Sequence, residues 1–253
     1  MDIKLIRNAT LIVEYAGKKF LIDPMLAEKG TYPPFPNSIR QDQNNPLVDL
    51  PVSLDDVIKD VDAVIVTHLH LDHFDDSAKN VLPKGIKVFV QNEEDAQEVK
   101  TAGFQNVEVL TEHTDFDDVR LIKTTGQHGR GEILKLAGEV CGIVFKHQDE
   151  KTLYVAGDTV WYDAVQTEID THQPDIIVVN GGDNQFYEGG SLVMGKEDIK
   201  ETHDAAPDAT IIVVHTEAVN HWTLSREELK DFINQEGIVS DVLIPNDGDS
   251  YSF

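Results

Sequence analysis

A single cysteine, Cys141, in 253 residues excludes an internal disulfide framework and fits a reducing compartment. No apolar run approaches the ~20 residues that a membrane-spanning helix needs. The stretch Met1 to Thr10 lacks an apolar signal core followed by a cleavage site, so a cytoplasmic location is expected. Cations are also scarce: 21 Lys and Arg face 46 Asp and Glu, a net charge of −25. Such a surface repels phosphate backbones and anionic head groups, and no basic run offsets it. Neither a nucleic acid nor a membrane is an expected partner. A small anionic substrate is not excluded, because bound metals invert the local field. The acidity is read chiefly as solubility.

What is present describes a folded chain. Apolar residues make up 40% and charged residues 26%, and the length suits one large domain with a well-buried core. Strand-like runs cover 11–15, 19–23, 62–67, 87–90, 107–110, 119–125, 140–146, 152–156, 175–180 and 210–215. Helical patterns cover 92–102, 196–205 and 225–235; the last has a capping box, Ser225 and Glu228, and stops at Gly237. No linker divides the chain and no short-period repeat is visible, so 1–253 reads as a single α/β domain. The stretch 27–51, with Pro33, Pro34, Pro36 and Pro46, has no apolar periodicity; it is expected to form pocket wall or subunit contact. A homo-oligomer is among the expectations.

The chemistry concentrates in Thr67-His-Leu-His-Leu-Asp-His73, directly after an apolar strand. His68 and His70 are two apart and share a side of an extended chain, whereas Asp72 and His73 diverge unless the chain turns. Imidazole mixed with carboxylate suits zinc, manganese or iron, and the geometry suits two neighbouring metals. Three later residues repeat the pattern of an apolar strand followed by a metal-competent side chain: His128, Asp158 and His215. Thr67 and Asp23 are candidates to orient ligand imidazoles. His113, His147, His172 and His203 lack the strand-end setting, and Cys141 has no matched base.

These residues resemble the metallo-β-lactamase superfamily, whose HxHxDH motif is carried by His68, His70, Asp72 and His73. Softer patterns, Gly157-Asp-Thr-Val-Trp161, Asn180-Gly-Gly-Asp183 and His215 with His221, look similar to the L-ascorbate-6-phosphate lactonase-like branch. The resemblance implies a four-layer αββα sandwich with metals at one edge between two sheets. It also implies that His68, His70 and His128 hold one divalent ion, that Asp72, His73 and His215 hold a second, and that Asp158 bridges them. Enzymes that open β-lactams often carry cysteine in the bridging region; Asp158 there weighs against that role.

A hydroxide held between two divalent ions, Zn or Mn, would then attack a carbonyl or phosphorus. Asp72 and Asp158 could also steer the nucleophile's proton, and His221 is a candidate acid or substrate contact. The expected substrate is a small lactone or cyclic ester such as a phosphorylated sugar lactone. A phosphodiesterase or nuclease and a non-catalytic metal-binding protein are the alternatives. Packing or turn roles are favoured for Trp161, Tyr162, Asp183 and Asn184. Met194 is read as near-site or core, and Arg40 and Arg130 as solvated charges before anion receptors.

Overall fold

A computed structural model describes residues 1–253. Strands β1 (Asp2–Arg7), β2 (Thr10–Tyr15) and β3 (Lys18–Ile22) form an antiparallel meander. The chain then passes through helix α1 (Leu54–Ile58), β4 (Ala63–Val66), α2 (Asp76–Val81), β5 (Lys87–Val90), α3 (Glu93–Thr101) and β6 (Asn106–Val109), adding parallel strands. Parallel strands need crossovers, and the three helices supply material for them. A second meander follows in β7 (Thr114–Phe116), β8 (Val119–Thr125), the short helix α4 (Leu134–Ala137) and β9 (Cys141–Lys146). After it come β10 (Leu153–Val155), α5 (Asp163–His172), β11 (Ile176–Asn180), α6 (Lys196–Ala205), β12 (Thr210–Val214), α7 (Arg226–Glu236) and β13 (Val242–Leu243). The last strand, β14 (Ser250–Ser252), returns to pair with β1.

The two sheets have the orders β14-β1-β2-β3-β4-β5-β6 and β7-β8-β9-β10-β11-β12-β13. Read in those directions, each runs through three antiparallel pairings and then three parallel ones. The central strands are almost wholly apolar, as sheets covered on both faces require. One face of each sheet meets the other in a core that includes Val13, Phe20, Phe89, Phe145, Val178 and Val214. The outer face of the first sheet packs on α1, α2 and α3 through Val57, Ala78 and Val99, and that of the second on α5, α6 and α7 through Ile169, Ile199 and Leu229. The αββα layering expected from the resemblance is thus what the chain adopts. No helix is long and apolar enough to cross a membrane.

The stretch 27–51 carries no helix or strand beyond an isolated bridge between Tyr32 and Asn45, so its polar backbone needs other partners. Buried Arg7 supplies three hydrogen bonds at its base, to the carbonyls of Met25 (2.7 Å), Ala27 (2.9 Å) and Val48 (3.0 Å). Burial pushes that guanidinium down to about 10 despite nearby Asp75. Asn220 secures the far end, accepting from Phe35 N (2.8 Å) and donating to Ile39 O (2.8 Å). Arg40 stacks on Trp222 at 3.6 Å and donates to the Trp222 carbonyl at 2.7 Å. It is therefore a tether for this stretch, correcting the expectation of a solvated charge, whereas Arg130 is exposed and pairs with Asp198 at 2.8 Å.

Candidate metal centre

The histidine-rich segment leaves β4 extended and then turns. His73 N and Phe74 N both donate to the His70 carbonyl, at 2.9 and 3.0 Å. That turn resolves the divergence expected of Asp72 and His73, bringing His73 against His68 and Asp72 against His215. Three other strand ends converge on the same point: His128 after β8, Asp158 after β10 and His215 after β12. His215 has φ of +60°, a left-handed turn that ends β12 and redirects its imidazole. Its amide donates to Asn8 O at 2.8 Å, and Asn8 Nδ2 donates to Asp72 O at 3.0 Å. Asn8 thus ties two converging segments together.

The side chains fall into three groups whose potential ligand atoms lie within 4.8 Å of one another: His68, His70 and His128; Asp72, His73 and His215; and His68, His73 and Asp158. Individual separations include His68 Nε2 to His70 Nδ1 at 2.9 Å, His73 Nε2 to His215 Nε2 at 3.2 Å and His215 Nε2 to Asp72 Oδ2 at 3.2 Å. Asp158 Oδ2 stands between the first two groups, 3.2 Å from His73 Nε2, 3.6 Å from His128 Nε2 and 3.8 Å from His68 Nε2. Ligands at ~2.0–2.1 Å from a tetrahedral ion lie about 3.3 Å apart, so this spacing accommodates divalent cations.

Hydrogen bonds at the rim decide where the protons sit. His128 Nδ1 faces the Leu192 carbonyl at 3.0 Å, so it carries hydrogen and leaves a lone pair on Nε2. His73 Nδ1 faces Asp23 Oδ2 at 2.9 Å with the same result. The Thr67 hydroxyl donates to Asp23 Oδ2 at 2.7 Å, so it accepts from His68 Nδ1 at 3.1 Å. Three inward lone pairs and the carboxylates of Asp72 and Asp158 then converge without a donor among them. Such a set is held together by cations or by protons. Without a cation, burial opposes charge on His73, yet Asp158, Asp23 and Asp72 hold its imidazole well above the ordinary value. His215 is raised likewise against burial, by Asp158 and Asp72. Burial, then neighbouring histidines, push His68 down, while Asp158 stays well below the carboxylate range because His73 and His215 outweigh its burial.

Asp23 also accepts from Thr67 N at 2.8 Å, so one carboxylate positions both the segment and the His73 ring. Asp23→Ala is expected to weaken metal binding 10–100-fold, the usual cost of losing such a partner. Titration with a competing chelator reads this; unchanged affinity would remove Asp23 from the centre's support.

The remaining sequence candidates separate cleanly. His221 joins none of the three groups but lines the cavity above them, edge-on to Phe35 at 4.8 Å between ring centroids. Asn184, read as a turn residue, is also buried and lies 3.3 Å from His221 Nε2. Met194 fills the helix-covered core, against which Trp161 and Tyr162 pack. His147, His172 and His203 pair with Asp118, Glu168 and Asp241 outside the centre. Burial pushes the Cys141 thiol up, and its Sγ lies 3.4 Å from the Thr67 carbonyl. Sequence reasoning missed Asn8, and it singled out Asn180 and Asn184 without giving either a role at the centre. Asn180 Nδ2 donates to Asp158 Oδ1 at 2.6 Å, and its position at the end of β11 was the available signal.

The cavity over the centre measures about 170 Å³. Its floor is His70, Asp72, His128 and Asp158; its walls include Phe35, Leu71, Phe186 and Leu192. No lysine or arginine reaches it. Phe35 comes from the 27–51 stretch, which therefore does form pocket wall.

Residues 18–216 match the Beta-lactamase superfamily domain. The UPF0173 protein YddR of Bacillus subtilis (strain 168) is 69% identical over 254 residues, covering all of both chains. A UPF0173 metal-dependent hydrolase of Pyrococcus abyssi is 23% identical, covering 94% of this chain and 95% of the relative. The crystal structure of isothiocyanate hydrolase from Delia radicum gut bacteria superposes with a TM-score of 0.96 at 44% identity, covering 100% of this chain and 99% of that one. With candidate metal ligands converging from four strand ends, the chain belongs to the β-lactamase superfamily, as a metal-dependent hydrolase of the UPF0173 group.

Proposed function

We propose that the protein hydrolyses small, uncharged, apolar electrophiles of the isothiocyanate class. In this reading His68, His70 and His128 hold one divalent cation, Asp72, His73 and His215 a second, and Asp158 lies between them. The observation that carries the substrate class is the cavity: aromatic and aliphatic walls stand over the His and Asp floor, with no lysine or arginine among them. The full-length likeness to an isothiocyanate hydrolase supports the same class. A phosphorylated sugar lactone would find no lysine or arginine in that cavity to pair with its phosphate, so uncharged electrophiles are favoured over it.

When bound, the cations supply a water-derived nucleophile at neutral pH and offset negative charge developing on the electrophile. The chain does the rest. Asp72 and Asp158, held ionised, accept hydrogen bonds from water at the floor and orient it. The walls exclude bulk water and set the cumulated N=C=S group against the floor. Burial pushes His221 down to about 4, so it enters the reaction neutral. With the Asn184 amide donating to Nε2, the His221 proton sits on Nδ1, which has no protein acceptor. That nitrogen is buried, so His221 lines the pocket and the hydrogen placed on the substrate nitrogen comes from the water that adds. Addition of water forms the carbon–oxygen bond and places hydrogen on nitrogen; cleavage of the carbon–nitrogen bond then releases a primary amine and carbonyl sulfide.

The test is an assay of protein loaded with zinc, manganese or iron against benzyl isothiocyanate, δ-valerolactone and a nitrophenyl phosphodiester. Consumption of the isothiocyanate that stops with chelator and returns with metal is expected. Loaded protein that spares isothiocyanates but opens the lactone or cleaves the diester would overturn the assignment.

A further inference from the structure

A second cavity, about 500 Å³, adjoins the first and shares Leu136 and Phe186 with it. It is larger than the inner one, and nothing in the chain fills it. Its base is Ile133, which packs with Ala137, Leu192 and Phe186 in a small cluster separate from the three main cores. Pro36, from the same stretch that delivers Phe35 to the inner wall, borders it. The outer wall is built closely. Gly189 has φ of +110°, and a Cβ there would lie 3.1 Å from the Ile133 side chain, so glycine lets the 186–190 turn settle on the 131–137 segment. Two large apolar side chains at the rim remain unusually open: Leu136 is 82% exposed and Tyr187 68% exposed. The one charged residue bordering this cavity is Glu188.

A largely apolar cavity that shares two wall residues with a reaction pocket, rimmed by exposed apolar side chains and free of lysine and arginine, suits an extended hydrocarbon group on the molecule reacting inside. We infer that this outer cavity is a subsite for the tail of the substrate, an alkyl chain or arylalkyl group, so that the enzyme prefers long-tailed over short-tailed substrates. The inference rests on the inner cavity being the reaction site. Glu188 adds a second discrimination, against tails that end in a carboxylate.

The experiment is a homologous series of n-alkyl isothiocyanates, ethyl to octyl, on the metal-loaded protein, with calorimetric binding of ethylurea and octylurea alongside. Once the chain outgrows the inner cavity, kcat/KM is expected to rise about fourfold for each methylene entering the outer one, then level off. Leu136→Ser combined with Tyr187→Ser, both at open positions, is expected to lower the octyl-to-ethyl ratio at least tenfold. A ratio unmoved by that double variant, or a series flat beyond butyl, would overturn the inference. Octylurea should bind tighter than ethylurea, and the difference should shrink in the variant. That outcome would uphold the subsite even if no isothiocyanate were consumed, in which case the proposed reaction alone fails. Equal affinity of the two ureas would overturn the subsite.

Discussion

Asp158→Ala is expected to lower kcat/KM about a thousandfold or more and to leave the protein with less bound metal. Asp158 faces four imidazoles: Oδ2 lies 3.2 to 3.8 Å from His73, His128 and His68, and Oδ1 lies 3.8 Å from His215. Removing one member of a buried charged cluster costs about 3–5 kcal/mol, because the others are left unbalanced. About 4 kcal/mol of that, at 1.36 kcal/mol per tenfold, corresponds to the thousandfold loss. The Asn180 amide would also lose its acceptor at 2.6 Å. Metal per chain, measured on protein with an unchanged far-ultraviolet spectrum, separates loss of the centre from loss of the fold. A variant keeping a tenth of the activity and its full metal content would remove Asp158 from the proposed bridging position.

Gly157→Ala is expected to destabilise the protein by about 2–5 kcal/mol, combining a left-handed backbone penalty with a displaced neighbour. Gly157 has φ of +71°, and an added Cβ would stand 2.4 Å from the Cys141 carbonyl, a backbone atom of β9 that cannot rotate away. The strand end carrying Asp158 must therefore shift. For a chain of this size the unfolding midpoint should fall by roughly 5–15 °C, with metal affinity falling as well. Ala102→Gly, at an ordinary negative φ after α3, serves as a comparison for a glycine/alanine exchange remote from the centre. A midpoint within 2 °C of the parent for Gly157→Ala would contradict the close approach.

The seven histidines and aspartates were legible because each follows an apolar strand, and the strand's end directs what comes next. His128 after β8 and His215 after β12 needed only that rule. The supporting amides were not legible. Asn8, Asn180 and Asn184 are short polar residues at turns or strand ends, where a local backbone role explains them equally well until distant segments are brought together. Helix α5 could not be given bounds because only Val165 and Ile169 face its core, too few apolar positions to establish a period. Strands β1, β7, β13 and β14 were also missed. The last three have two or three residues each, and β14 (Ser250–Ser252) has no apolar alternation to mark it. The pocket was half visible: proline density marked 27–51 as unusual, but Phe35 reaches the cavity only because Asn220 and Arg40 tie that stretch back.

The repeated pairing pattern of the two sheets has a mechanical corollary. His68, His70, Asp72 and His73 belong to the sheet that begins and ends the chain, whereas His128, Asp158 and His215 belong to the other. Neither layer owns a complete donor set, so cations held there act as rivets through the seam. Peeling the layers apart requires the rivets to shear before water wets the apolar interior. Loaded protein should therefore come apart far more slowly than stripped protein, and its lifetime in denaturant should track the exchange rate of the ion.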